Sequence, residues 1–189
     1  YDHRFGRNRT ADINDLKKFG KEFGFEVEEI PKQDIEEVAV SSTKIRKALN
    51  NGDIKKANSY LGNPFMLTGK IVPGKQLGKT LGFPTANLHI EENYKLIPKN
   101  GVYIVRSVID NQVFFGMMNI GTNPTVSKEK KRSIETHFFD LNKDLYGKTL
   151  QIDLLERIRD EEKFGSFEAL SAAMENDKEV SLKYLKENQ

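Results

Sequence analysis

Three features of the sequence have residue types and spacing suited to handling phosphate. In the run from Thr68 to Asn87, Gly74, Gly78 and Gly82 recur every four residues, with Lys75 and Lys79 among them. Glycine has no Cβ to hold a ligand away or to forbid φ > 0, so backbone N–H groups can come close to an anion. The two lysines add positive charge, and a polyphosphate is the natural guest. This is not a Walker A loop. That motif needs four residues between its first glycine and Gly-Lys-Thr, whereas three separate Gly74 from Gly78, and position 73 is proline. It must also open a helix, and Pro84 follows too closely for a helix interior.

The second feature is Pro84-Thr85-Ala86-Asn87. On extended backbone, side chains at i and i+2 point the same way, so Thr85 and Asn87 can share one ligand. Two neutral oxygen donors beside phosphates suit Mg²⁺, which takes its remaining ligands from phosphates and water. Such residues also form ordinary turns, and spacing alone leaves both readings open. The third feature is Glu135, within Ser133 to Phe139, where Ile134, Thr136 and Phe138 alternate with Glu135, His137 and Phe139. Strand carboxylates usually lie on a solvated face. Phosphoryl transfer to an alcohol, however, needs a group that orients the hydroxyl and accepts its proton.

The run from Gly74 through Gly82-Phe83-Pro84-Thr85-Ala86-Asn87 resembles the signature loop of riboflavin kinases. Gly101-Val102-Tyr103, Asn119 to Thr125, Glu135-Thr136-His137 and Tyr146-Gly147 extend the resemblance in order over residues 62 to 187. It implies a six-stranded antiparallel Greek-key barrel with C-terminal helices, acting on ATP and riboflavin to give ADP and FMN. It further implies that Gly74, Lys75, Gly78, Lys79, Gly82, Pro84 and Thr85 hold the nucleotide, with Thr85 and Asn87 at Mg²⁺. Glu135 matches the family's catalytic base. Tyr146 resembles a position near adenine, although an exposed hairpin tyrosine fits the sequence too. Arg159 resembles an arginine that closes over flavin; the alternative is a surface ion pair with Asp160 to Glu162. Phe164 belongs either to that flap or to a staple docking a helix. Asn123 either approaches the substrate or makes a plain Asn-Pro turn. His137 reads as structural, and Lys128 to Arg132 as a solvated loop.

The elements that must position these residues follow from periodicity. Phe65 to Val72, Gly101 to Ile109, Gln112 to Asn119, Ser133 to Phe139 and Thr149 to Leu155 read as strands, with Asp110-Asn111 as a hairpin turn. Five or more strands without a long helix between them favour an antiparallel sheet or small barrel. Ser166 caps a helix presenting Phe167, Leu170, Ala173 and Met174, and Asp177 is predicted to begin another, carrying Val180, Tyr184 and Leu185.

Upstream, Ile13, Leu16, Phe19 and Phe23 recur at helical spacing before Gly24, and Phe25 to Ile30 reads as a short strand. Ser41-Ser42 cap a helix reaching Asn51-Gly52, and Asp53 opens another that ends near Gly62. One strand cannot bury both faces, so residues 1-62 read as a small α/β remnant of a larger domain, and 63-189 as the barrel domain. Tyr1 to Gly6 and Ser41 to Arg46 resemble late motifs of the FMN adenylyltransferase domain that precedes the kinase in bacterial bifunctional enzymes. That family's early His-x-Gly-His motif is absent from these 189 residues. The expectation is a parent chain with a preceding adenylyltransferase domain, FMN production by this chain, no FAD synthetase activity from it, and Arg46 as a solvated cation.

Composition narrows the alternatives. A net charge of +2 is too small to argue for an anionic membrane and argues against nucleic acid as a partner. No apolar run approaches the ~20 residues of a membrane span. Absence of cysteine excludes disulfides and thiolate metal sites and fits a cytoplasmic protein. A barrel that stacks single-stranded nucleic acid on Phe114, Phe115 and Phe138 would bind with steep salt dependence. A flavin carrier would bind FMN without needing ATP.

Overall fold

The computed structural model describes residues 4–29, 34–35, 38–74, 82–122 and 132–188. The chain forms two compact units, Tyr1–Ser41 and Ser42–Gln189.

In the first unit, α1 (Ile13–Phe23) starts at a capping box in which Asp12 and Asp15 each bond the other's backbone end. It stops at Gly24, left-handed at φ 73°. Phe25 to Glu29 do not form the predicted strand. The Phe25 N–H instead donates to the Gly20 carbonyl at 3.0 Å, and Lys17 pairs with Glu29 at 2.8 Å. The chain thus doubles back on α1, and its first backbone donor is used by the helix end rather than by a ladder. Two-residue strands β1 (Asp34–Ile35) and β2 (Val38–Ala39) pair antiparallel.

The second unit opens with α2 (Ser42–Asn51) and α3 (Ile54–Leu61), as the cap residues predict. Asp53 accepts from the Lys56 N–H, and Gly62 ends α3 at φ 72°. Leu49, Ile54 and Ala57 are buried in one core with barrel residues such as Leu67, Tyr103 and Ile152. Asn58 stitches the helix to two strands: its amide donates to the Leu154 carbonyl at 2.9 Å, and its oxygen accepts from the Phe65 N–H at 2.7 Å.

Six strands then close a barrel: β3 (Phe65–Val72), β4 (Ala86–His89), β5 (Gly101–Ile109), β6 (Gln112–Thr122), β7 (Arg132–Phe138) and β8 (Thr149–Arg159). The order is β3-β4-β7-β6-β5-β8, every pairing antiparallel. Spatial order β8-β5-β6-β7 is a Greek key, since the last strand returns beside the first of three sequential ones. Asp110 and Asn111 both have positive φ, 50° and 62°, which gives the primed turn that suits a two-residue hairpin. Strands β6 and β8 run past their predicted ends at Asn119 and Leu155, because the ladders to β7 and β5 continue there. Arg132, predicted in a solvated loop, is the first residue of β7 and donates to the Ile97 and Pro98 carbonyls at 2.8 and 3.1 Å.

Alternation along the strands divides the barrel into a packed interior and a covered outer wall. Met118, Ile120, Ile134 and Phe138 point inward, while Val102, Ile104, Met117 and Phe139 form a second core on the outside with Leu185. The lid on that wall is α4 (Phe167–Glu187), a single helix capped by Ser166 where two were predicted. Asp177 does not begin a helix; it lies mid-helix with 2% exposure. No glycine or proline interrupts residues 167–187, and an interior Asp costs a helix only a few tenths of a kcal/mol, about 0.7 at most.

Candidate active site

The outer wall carries a row of polar residues set by strand register. Asn87 on β4 is the direct partner of Glu135 on β7, which is the partner of Asn119 on β6. Asn119 in turn faces Val102 on β5, and Val102 faces Arg159 on β8. Directly opposed residues share a face, so Asn87, Glu135, Asn119 and Arg159 project from the same side of five adjacent strands. Thr85, one residue before β4, brings its hydroxyl to 3.5 Å from Glu135 Oε2. Thr85 thus meets Glu135, and Asn87 lies opposite Glu135 in the ladder.

Two clefts meet at Thr85. One, of about 220 Å³, is lined by Thr85, Asn119, Glu135, Arg159 and Phe164, with Met174 and Asp177 from α4. The other, of about 300 Å³, is lined by Pro84, Thr85, Thr136, Phe138 and the segment Leu141 to Tyr146. Tyr146 is half exposed there, its N–H held by Asp144 at 2.9 Å. The Thr136 hydroxyl is buried on the wall of this second cleft and has no hydrogen-bond partner among the described residues.

Local sequence explains how the segment before β4 is held. A Cβ on Gly74 would lie 2.0 Å from Asn87 Nδ2, so only glycine permits this approach. Gly82 has φ 82°, and Phe83 behind it is buried in the outer-wall core. The Pro84 carbonyl meets His137 Nδ1 at 2.9 Å. His137 stands edge-on to Phe83 and Phe139, with centroids 5.2 and 5.9 Å away. Burial pushes its pKa down, although the Pro84 bond opposes this. Lys75, Gly78, Lys79 and Asn123 lie outside the described residues.

Arg159 pairs with α4 rather than with Asp160 to Glu162. Its Nε and Nη2 donate to Asp177 Oδ1 and Oδ2 at 2.9 and 2.7 Å, a bidentate pair with α4. Only Nη1 turns to Asp160, and there to the backbone carbonyl at 3.1 Å. The guanidinium also stacks 5.6 Å from the Phe164 ring centre. The bonds to Asp177 raise its pKa further above the ordinary arginine value. Asp177 and Asn119 escaped sequence reasoning. Asn119 carried a signal, a polar residue between inward-pointing Met118 and Ile120; Asp177 carried none, because its partner is eighteen residues away on another element.

The oxygen-bearing side chains on this face are the Thr85 hydroxyl and the Glu135 carboxylate, 3.5 Å apart, with Asn87 opposite Glu135 in the ladder. Among the described residues no group of three or more His, Cys, Asp or Glu is placed to hold a metal. Such a set fits a hard divalent cation that brings phosphate and water ligands with it, not a zinc-type site. Among the described residues no helix is long and apolar enough to cross a membrane.

Known proteins match both parts of the chain. The riboflavin kinase (flavokinase) family matches residues 61–185, and the FAD synthetase family matches residues 1–44. Among curated relatives, the bifunctional riboflavin kinase/FMN adenylyltransferase of Listeria monocytogenes is 36% identical over 95% of this chain and 56% of its own length. That of Bacillus subtilis is 38% identical over 84% of this chain and 49% of its own, and that of Escherichia coli K12 38% over 93% and 56%. The chain thus spans about half the length of these relatives. A crystal structure from Streptococcus pneumoniae, described as a macrolide-efflux protein, superposes with a TM-score of 0.84 at 36% identity, covering 96% of this chain and 58% of that one. With the family match extending over the whole barrel and most of α4, the chain belongs to the riboflavin kinase family.

Proposed function

We propose that this chain transfers the γ-phosphate of ATP to the 5′-hydroxyl of riboflavin, releasing FMN and ADP. The observation that carries this reading is the meeting of Thr85 and Glu135 where two clefts adjoin. ATP occupies the cleft bounded by Pro84, Thr85 and Tyr146, with its phosphates toward the glycine run and Lys75 and Lys79. Riboflavin occupies the cleft beneath α4, with Arg159 and Phe164 against the ring system and Asn123 at its approach. Glu135 accepts the proton of the 5′-hydroxyl as its oxygen attacks the γ-phosphorus; the bond to the β,γ-bridging oxygen breaks, and ADP leaves with that electron pair. Thr85 and Asn87 would hold Mg²⁺, which would neutralise phosphate charge. Positioning and fixed charge account for most of the acceleration, as phosphoryl transfer asks little covalent work of the protein.

In this reading, residues 1-62 close an adenylyltransferase domain of a longer bifunctional protein, and 63-189 form the kinase domain in the cytoplasm. The relatives' names and the FAD synthetase match over 1–44 support it. The test is incubation of the chain with riboflavin, ATP and Mg²⁺, followed by chromatography of the flavins. FMN, dependent on ATP and without FAD, is the expected product. Binding of both substrates without FMN would reduce the chain to a carrier.

A further inference from the structure

We propose that His137 is a positioning residue for this transfer: through its bond to the Pro84 carbonyl it sets Thr85 against Glu135. The proposal rests on the reading that Thr85 and Glu135 work together. The ladder between β4 and β7 begins only at Ala86, opposite Thr136. Thr85 therefore stands just before the first paired residue, beyond the reach of strand hydrogen bonds. What precedes it is Pro84, which has no N–H to contribute. Its carbonyl is the one backbone group through which Pro84 can be tied down, and His137 Nδ1 meets it at 2.9 Å. Because the Pro84–Thr85 peptide is planar, fixing that oxygen fixes the plane from which the Thr85 Cα departs.

The brace comes from the strand that carries Glu135. His137 is two residues along β7 and on the same outward face, so Glu135 and the group that places Thr85 move as one rigid piece. Both line the cleft beneath α4. The imidazole is itself fixed edgewise between Phe83 and Phe139, each buried. A carbonyl only accepts, so Nδ1 carries the proton, and burial favours the neutral ring in which the tautomer is defined.

Three substitutions separate this role from ring packing. His137→Phe keeps an aromatic ring and loses the donor. His137→Asn places an amide N–H near the Nδ1 position, and His137→Gln places one near Nε2 instead. Expected is a fall in kcat of about ten- to a hundredfold for Phe and Gln, with the riboflavin KM within about threefold of the parent, and recovery to within about threefold for Asn. Thr85 amide and methyl NMR shifts should move in the Phe and Gln variants and return in Asn. The ¹⁵N shifts of the parent imidazole should report an Nδ1–H tautomer. Equal behaviour of Asn and Gln, an unchanged Phe variant, or an Nε2–H tautomer would overturn the proposal. Should the parent make no FMN, the kinase reading falls, while the tautomer and the Thr85 shifts still decide whether the brace exists.

Discussion

Glu135 shows what a single side chain is asked to do. In the proposed transfer, Glu135→Gln keeps the shape and loses the base, so kcat is expected to fall roughly 10²-fold while ATP binding, measured by calorimetry, stays within a factor of about two. Unchanged turnover would remove the carboxylate from the mechanism. His137 gives a pH dependence of the same sign as a paired carboxylate, but in a window set by imidazole rather than carboxyl titration. Burial lowers its folded pKa below the ordinary 6.5; Lys178 lowers it further, and the Pro84 bond, Asp140 and Glu175 oppose. The unfolded chain then binds this proton more readily, so stability declines as pH falls below about 6.5 and levels off beneath the folded value. Thermal melts from pH 7 to 5 should show a steeper decline for the parent than for His137→Phe. Residue types and spacing made Thr85, Asn87 and Glu135 candidates, and the family resemblance singled them out from the turn and surface readings that spacing left open. The role of His137 was not legible, since its acceptor is a backbone carbonyl 53 positions upstream.

At the level of elements, caps and turns wrote themselves plainly into the chain. Asp53, Gly62, Asp110-Asn111 and Ser166 all lie at element boundaries for the local reasons that predict them. Strand ends and the single long α4 were less legible, because ladder partners and helix packing extend elements beyond their local signals. Asp177 is the clearest case: a residue that caps helices elsewhere is used here to hold Arg159 from mid-helix. Asp177→Asn leaves that guanidinium largely buried with a neutral partner and is expected to cost about 2–3 kcal/mol in urea unfolding, below the loss for a fully enclosed pair because Arg159 retains some solvent. Asn58→Ala severs two bonds that join α3 to β3 and β8, and about 1–3 kcal/mol should be lost in the same assay. A loss under about 0.5 kcal/mol in either would show that the surroundings re-pair without them.

For the molecule as a whole, the physical boundary falls after Ser41, whereas the kinase-family match starts at residue 61. Helices α2 and α3 pack on the barrel and contribute Leu49, Ile54 and Ala57 to its core. A chain of residues 42–189 is expected to melt cooperatively; one of residues 63–189, stripped of those side chains, should be less stable by about 3 kcal/mol or more. Equal stability of the two would make the helices passengers. The strands were legible at this scale as β-branched and aromatic runs set off by turns, and the six-stranded barrel through the family resemblance, while the closing of β8 onto β3 depends on twist and register that no local pattern encodes. Thr85, finally, is a wall common to both clefts. A partition with an occupant on either side makes the two binding equilibria one linked system: whatever factor a guest on one side imposes on affinity across the wall, the other guest returns by the same factor.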